Sequence, residues 1–172
     1  MDLYVIRHAI AQPLGRKNDF TEEKRALTPE GRDRMREAAK GLRALGVTVD
    51  LILTSPLARA VQTAEVVAGV LGMKEKEVER TNNLAPGSSH VKLFGEIKKR
   101  NGVESIALVG HQPELGQLIS RIISGSVDLS IQLKKGGVAC VNVTETVPVL
   151  RGSLAWLLAP AQLRALARGS QS

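Results

Sequence analysis

The stretch LYVIRHA, residues Leu3–Ala9, does most to decide the fold class of this chain. Its first four residues, Leu3–Ile6, predict a short strand buried on both faces, which is typical of a parallel sheet. Similar apolar runs occur at Leu51–Thr54 and Ile106–Val109, and each precedes a segment in which apolar residues recur at helical spacing. Strands that alternate with helices predict a three-layer α/β/α sandwich with a mainly parallel central sheet.

Three of the predicted helices begin with a polar residue followed by proline. A Ser or Thr side chain can cap the first turn of a helix, and proline suits the first helical position because no N–H donor is needed there. These predicted starts are Thr28-Pro29, Ser55-Pro56 and Gln112-Pro113. A weaker helical pattern covers Val91–Arg100, and a last helix is predicted over Pro160–Ala167.

Two further apolar segments, Val138–Val143 and Leu154–Leu158, predict strands that are close in the chain with no helix between them. Strands joined in this way can pair antiparallel, so we expect an antiparallel edge strand in the sheet. No repeat or linker divides the sequence, and residues 1–168 are therefore interpreted as a single domain, with residues 169–172 as a frayed tail.

The composition limits the class of function. The 24 Lys and Arg residues exceed the 17 Asp and Glu residues, and the net charge of +7 favours anionic ligands such as phosphate. Nucleic acid is not expected, because aromatic residues are 2% of the chain and basic residues are scattered among acidic ones. No apolar run reaches the roughly 20 residues that span a bilayer, and no secretory signal precedes the first strand. We therefore expect no membrane partner and a cytoplasmic location.

Basic side chains follow three of the predicted strands. Arg7 and His8 end the first strand, Arg59 comes shortly after the second, and His111 follows the third. Because the carboxyl ends of parallel strands meet at one edge of the sheet, we expect these four side chains to converge. A lone histidine or arginine at such a position is more often structural, but four together would repel one another without an anion. The set predicts a phosphate pocket without carboxylates.

The two histidines indicate a mechanism. A neutral imidazole can attack phosphorus when a hydrogen bond at one ring nitrogen fixes its tautomer, and His8 is the candidate nucleophile. Arg7, Arg59 and a protonated His111 would hold the phosphoryl oxygens, and water would hydrolyse the phospho-His8 intermediate. The motifs supply no third ligand for a metal ion, so the sequence predicts catalysis without a metal or another cofactor.

Other residues are candidates for the rim of this pocket. Arg25, Ser55 and Gln112 lie close in sequence to the four central residues or in the adjoining loop. The long polar loop Gln12–Ala26 is expected to border the pocket, and His90 is interpreted as a surface or rim residue.

Four motifs in this sequence resemble those of the histidine phosphatase (phosphoglycerate mutase-like) superfamily. Leu3–Ala9 is similar to its strand and RHG signature, and Leu27–Gly31 is similar to its LTxxG element. Ser55–Ala64 resembles its SPxxRAxQTA element, and Val109–His111 resembles the segment with its second histidine. The matches occur in the family's order over roughly the first two thirds of the chain.

The resemblance implies the roles that the residues had suggested. His8 would be the nucleophile, and Arg7, Arg59 and His111 would line the phosphate pocket. The short chain, the RHAxA form of the first motif and the HxP form at His111-Gln112-Pro113 resemble the phosphohistidine phosphatase SixA-like group within the superfamily.

One departure from the family pattern bears on the substrate. Many members carry a glutamate that protonates the leaving oxygen, but the corresponding region Thr81–Pro86 contains no carboxylate, and Glu79 precedes it. An alkoxide leaving group needs such an acid, which is worth roughly 10²- to 10⁴-fold in rate, whereas an imidazole leaves more easily. The sequence therefore favours a phosphorylated protein, with phosphohistidine as the substrate group.

Two alternatives stay open at this point. The chain could be a general phosphomonoesterase that acts on a small phosphorylated metabolite such as a sugar phosphate or nucleotide, or on phosphoserine. It could also be a phosphate-binding protein without catalytic activity. The sequence does not determine the oligomeric state.

Overall fold

Six strands form one sheet in a computed structural model that describes residues 1–14, 21–146 and 149–169. In chain order the strands are β1 (Asp2–Arg7), β2 (Leu51–Thr54), β3 (Val78–Arg80), β4 (Ser105–Gly110), β5 (Val138–Glu145) and β6 (Arg151–Leu158). Their order across the sheet is β3-β2-β4-β1-β5-β6.

The strand directions confirm the predicted mixed sheet. β4 pairs in parallel with both β1 and β2, and β2 pairs in parallel with β3. β5 pairs antiparallel with β1 and with β6, which forms one edge of the sheet. The sequence analysis missed β3, because this strand has only three residues, Val-Glu-Arg, and none of them is fully buried. A short strand at the opposite edge gives no apolar run to detect.

In the described part of the chain, five α-helices cover the sheet. They are α1 (Pro29–Ala44), α2 (Ala58–Leu71), α3 (His90–Lys98), α4 (Glu114–Ser124) and α5 (Pro160–Gly169). Three short 3-10 turns lie at Glu22–Lys24, Glu75–Glu77 and Asn82–Leu84.

The helix starts agree with the predictions in only one of the three cases. Thr28 caps α1 through its side chain, which accepts the Gly31 N–H, and proline occupies the first turn. α2 and α4 begin at Ala58 and Glu114, and neither has a side-chain cap, so the prediction of starts at Ser55-Pro56 and Gln112-Pro113 is wrong. The physical reason is that these two side chains bind other partners: Ser55 contacts His111, and Gln112 donates to the carbonyl oxygen of Ile131.

The two faces of the sheet have separate apolar cores, which gives the predicted three layers. Along β1, Tyr4 and Ile6 point to the core that contains side chains of α1, α2 and α5. Leu3 and Val5 point to the opposite core, which contains side chains of α3 and α4. This alternation is the geometry of a strand whose two faces are both buried.

Strand register brings the predicted site residues to one edge. Arg7 is paired with Gly110 across β1 and β4, and Thr54 is paired with Val109 across β2 and β4. The residues that follow these pairs therefore leave the sheet side by side. This confirms that the carboxyl ends of β1, β2 and β4 meet, as the motifs required.

Parts of two sequence predictions lie outside the described residues. These parts are residues 15–20 of the polar loop Gln12–Ala26 and residues 170–172 of the predicted tail, while Gly169 is the last residue of α5. Within the part of the chain that is described, no helix is long and apolar enough to cross a membrane.

Close packing between α1 and α5 depends on Gly41. A Cβ atom at this position would collide with the backbone carbonyl oxygen of Leu163 in α5, which is fully buried. Gly69 of α2 provides a matched contrast, because it is exposed and a Cβ there would meet nothing within 4 Å.

We expect Gly41→Ala to lower the free energy of unfolding by about 1–3 kcal/mol, since α5 must shift to admit the methyl group. Gly69→Ala should instead raise it by about 0.5–1 kcal/mol, because alanine is the better helix former. Urea unfolding of both variants checks this pair. Equal effects of the two substitutions would show that the α1–α5 contact does not require glycine.

Candidate active site

His8 is the first residue beyond β1, and its backbone N–H donates to the carbonyl oxygen of Gly110 at 3.0 Å. Its ring Nδ1 lies 2.7 Å from the carbonyl oxygen of Ala9. A carbonyl oxygen can only accept a hydrogen bond, so Nδ1 carries the ring proton and Nε2 has the lone pair. The backbone thus sets the tautomer in which Nε2 can act as a nucleophile.

The surroundings of His8 keep its ring neutral. The pKa of His8 is lowered to about 3, mainly by burial. The hydrogen bond to Ala9 acts in the opposite direction, and the neighbouring His111, Arg59 and Arg7 contribute to the lowering. His8 is 7% exposed. An imidazole with such a low pKa is uncharged near pH 7, so its Nε2 lone pair is not lost to a proton.

Arg59, in the first turn of α2, directs its guanidinium toward His8. Nε donates to Nε2 of His8 at 3.3 Å. Nη1 donates to the backbone carbonyl oxygen of Glu22 at 2.8 Å, and Nη2 lies 2.9 Å from the Glu22 carboxylate. Arg59 is buried, and each of its three guanidinium nitrogens has a partner. Two of these nitrogens are bound to Glu22.

Glu22 is a site residue that the sequence analysis missed, and the expectation of a pocket without carboxylates is wrong. It lies in the described part of the polar loop, in the 3-10 turn Glu22–Lys24. Its carboxylate also accepts from Nη1 of Arg25 at 2.9 Å, and this hydrogen bond, with the charge of Arg59, lowers the pKa of Glu22. No sequence signal distinguishes Glu22 from the other charges of its loop.

Arg25 is connected to the pocket by its ion pair with Glu22. Its Nε donates to the carbonyl oxygen of Gln12 at 2.8 Å, so one arginine joins the two ends of the loop. This places Arg25 next to the Glu22–Arg59 pair, where the rim residue was expected. The described part of the polar loop therefore borders the site.

Arg7 is fixed at the end of β1. Its Nη1 donates to the carbonyl oxygen of Leu133 at 2.7 Å. Its Nε is buried and has no hydrogen-bond partner among the described residues. Leaving a buried donor unpaired costs about 1–3 kcal/mol, so this N–H is a candidate contact for an anion.

His111 follows β4 and faces His8, with the two ring centres 5.2 Å apart. Its Nε2 lies 2.8 Å from Oγ of Ser55, whereas its buried Nδ1 has no partner within the described chain. The pKa of His111 is lowered to about 4, mainly by burial and next by the charge of Arg59. With these neighbours alone His111 is neutral near pH 7, and its protonation around a phosphoryl group stays a prediction.

Two rim assignments are changed by these contacts. Ser55 is fully buried beneath His111 and does not lie at the rim. Gln112 points away from the site, because its Nε2 donates to the carbonyl oxygen of Ile131 at 2.7 Å.

His90 is half-buried at the start of α3, where its Nε2 lies 3.1 Å from the carbonyl oxygen of Glu114, and it shares a small cavity with His111. Its interpretation as a rim residue agrees with this position.

The polar residues of the third motif hold the site together. Thr63 accepts the backbone N–H of Ala9 at 3.0 Å and donates to the carbonyl oxygen of Arg59 at 2.7 Å. Gln62 accepts the N–H of Leu27 at 2.7 Å. α2 is thereby tied both to the segment after His8 and to the end of the polar loop.

The segment Thr81–Pro86, which lacks the family's glutamate, is hydrogen-bonded to a carboxylate of α3. Thr81 and Asn83 both donate to Glu96 at 2.7 Å. Glu79 is paired with Arg100 at 2.6 Å. Among the described residues, no group of three His, Cys, Asp or Glu side chains could hold a metal ion.

Comparison with known proteins agrees with this geometry. Residues 3–90 match the histidine phosphatase superfamily (branch 1). An uncharacterized protein of Picosynechococcus sp. is 36% identical over 142 residues, which cover 80% of this chain and 82% of the relative. The phosphohistidine phosphatase SixA of Escherichia coli is 25% identical over 166 residues, which cover 95% of this chain and 97% of SixA.

The fold comparison gives the same relationship. A solved structure of the protein histidine phosphatase SixA in complex with tungstate superimposes with a TM-score of 0.83 and 25% identity, and the match covers 95% of this chain and 99% of that one. The chain belongs to the histidine phosphatase superfamily, in its SixA-like group, and is a phosphatase.

Proposed function

We propose that this phosphatase removes the phosphoryl group of protein phosphohistidine through a phosphorylated His8. The observation that carries the proposal is the environment of His8 Nε2, a lone pair on a neutral, buried ring whose tautomer is fixed by Ala9. A nucleophile of this kind needs no separate base, because it has no proton to lose before it attacks.

In the first step Nε2 of His8 forms a bond to phosphorus while the bond from phosphorus to the leaving nitrogen breaks. The leaving imidazole takes up a proton from solvent. Before this attack, Arg59 must turn its Nε–H from the His8 lone pair to a phosphoryl oxygen, where a guanidinium stabilises the charge of the transition state. In the second step water attacks phosphorus, the bond to Nε2 breaks and inorganic phosphate leaves.

The two unpaired donors next to His8 suit the remaining phosphoryl oxygens. Ser55 Oγ accepts the N–H of Leu57 and can donate to Nε2 of His111, which leaves Nδ1 of His111 as an N–H donor. Nε of Arg7 is the second buried donor. A phosphoryl group that accepts from both would remove the cost of two unpaired donors, and its negative charge would raise the pKa of His111.

The substrate class follows from the leaving group. Glu22 is the carboxylate that contacts Arg59, and two guanidiniums keep it ionised, so it is a poor proton donor. For a substrate that draws no proton from Glu22, cleavage of a P–N bond to imidazole is easier than cleavage of a P–O bond to an alcohol. The similarity to a phosphohistidine phosphatase and to a SixA structure that binds tungstate supports the same choice.

His8→Ala should abolish turnover and phosphoenzyme formation, since it removes the ring nitrogen that Arg59 contacts and that would bond to phosphorus. The measurement is an acid-labile, alkali-stable phosphoryl group on the wild-type protein after rapid quenching with labelled substrate. The Gly69→Ala variant, which changes an exposed position of α2 outside the site, is the control and should still form the phosphoenzyme. A wild-type protein that binds phosphate but traps no phosphoryl group would contradict the covalent mechanism.

A substrate panel tests the leaving-group argument. We expect kcat/KM for a phosphohistidine peptide to exceed that for a phosphoserine peptide of the same sequence by about 10²-fold or more, since that is the usual worth of the acid that esters require. Sugar phosphates and nucleotides should be as slow as phosphoserine. Faster turnover of any of these esters would overturn the assignment to phosphohistidine.

Glu22→Gln should strengthen inhibition by orthophosphate or tungstate about twofold to fivefold, because a half-exposed ion pair is worth about 0.2–1 kcal/mol and the anion no longer competes with a carboxylate for Arg59. Glu23→Gln in the same turn removes an equal charge without that contact and should change inhibition less. Weaker inhibition of the Glu22 variant would instead show that Glu22 positions Arg59 for the ligand.

A further inference from the structure

A second cavity adjoins the proposed catalytic site on the face of the sheet covered by α1 and α5. It has a volume of about 380 Å³, and its lining includes Arg7 and Ala9, the residues on either side of His8. The rest of its wall comes from α1, from the loop 134–136 and from the start of α5. The cavity therefore reaches both chain neighbours of His8, although His8 itself is not in its lining.

The charge of this cavity has one sign. Its lining contains five cationic side chains and no acidic one: Arg7, Arg34, Lys134, Lys135 and Arg164. Arg34 is paired with Glu30 at 2.5 Å. Lys134, Lys135 and Arg164 have no ion pair with any residue in the described ranges. Cations gathered without counter-charges favour an anionic ligand.

The cationic loop is bonded directly to the catalytic strand end. The N–H of Gly136 lies 3.1 Å from the carbonyl oxygen of Arg7 and 3.2 Å from that of His8. The N–H of Arg7 donates to the carbonyl oxygen of Gly137 at 3.1 Å, and Gly137 donates to that of Lys134 at 2.7 Å. These hydrogen bonds join the backbone of the lysine-bearing loop to the strand end that carries His8.

We propose that this cationic cavity binds acidic side chains that flank the phosphorylated residue of a protein substrate. The inference rests on the proposed function and adds the sequence context of the substrate. Lys134 and Lys135 are exposed and belong to a different element from Arg164, so their charges are spread over a surface. Several carboxylates distributed along a peptide fit such a surface better than one compact small anion, which binds best to converging, buried donors.

Two phosphohistidine peptides test the proposal. They share one sequence, but one has Asp and Glu beside the phosphohistidine and the other has Asn and Gln. Each exposed ion pair contributes about twofold to fivefold, so the wild-type protein should prefer the acidic peptide by about tenfold in kcat/KM. The preference should decrease between low and moderate salt because exposed charges are screened.

The triple variant Lys134→Gln, Lys135→Gln, Arg164→Gln should bring the ratio of kcat/KM for the two peptides close to one. The control triple variant Lys74→Gln, Lys76→Gln, Lys99→Gln removes the same charge from exposed positions outside the cavity and should keep the wild-type ratio. Circular dichroism and urea unfolding establish that both variants fold. A cavity variant that folds and keeps the preference would overturn the proposal.

A binding measurement separates this proposal from the proposed function. The unphosphorylated acidic peptide, labelled with a fluorophore, should bind the His8→Ala protein and should bind about tenfold more weakly when the three cavity substitutions are added. That result would stand even if phosphohistidine were not hydrolysed. Binding of inorganic pyrophosphate at the cavity without binding of the acidic peptide would assign the cavity to small anions and overturn the proposal.

Discussion

The site depends on the position of β4 between β1 and β2, with parallel pairing on both sides. His8 follows β1, Ser55 follows β2 and His111 follows β4, so a common register is what places two imidazoles 5.2 Å apart at one sheet edge. A shift of one residue in either pairing would turn these side chains to the other face of the sheet. The buried cores on both faces of β1 fix this register, and the stability of the fold and the geometry of the site therefore have the same origin.

The carboxylate of Glu22 balances part of the positive charge at this edge. Two guanidiniums, those of Arg59 and Arg25, meet at its carboxylate, and Arg59 extends from there to the lone pair of His8. A phosphoryl group would compete with Glu22 for one of these guanidiniums. The affinity for phosphate therefore equals the contact that Arg59 gains with phosphate less the contact that it loses with Glu22. This competition weakens substrate binding and product binding alike, so it also favours product release.

Two histidines in one site can have different roles although burial lowers the pKa of both. Ala9 fixes the proton of His8 on Nδ1 and leaves Nε2 as an acceptor, whereas Ser55 lies at Nε2 of His111 and leaves Nδ1 as the other available nitrogen. The proposed division between nucleophile and donor thus comes from hydrogen-bond partners, which act on individual ring nitrogens. A difference in net charge between the two rings is not needed.

The sequence by itself determined the sandwich, the parallel core of the sheet and the four residues at the strand ends. These conclusions follow from local patterns: apolar runs such as Leu3–Ile6, helical periodicity, and basic side chains placed directly after strands. The family motifs indicated the same four positions. Such signals are contained in a few consecutive residues, and they are therefore visible without the fold.

Only the tertiary structure decided which partners those residues have. Glu22 reaches Arg59 across 37 positions in the chain, and Ser55 is drawn beneath His111 across 56, so neither contact leaves a local pattern. The strand β3, the neutral state of His111 and the cationic cavity beside Arg7 likewise depend on elements that are distant in sequence. Burial, charge and hydrogen bonding between distant segments are set when the chain packs, which is why they could not be derived from spacing alone.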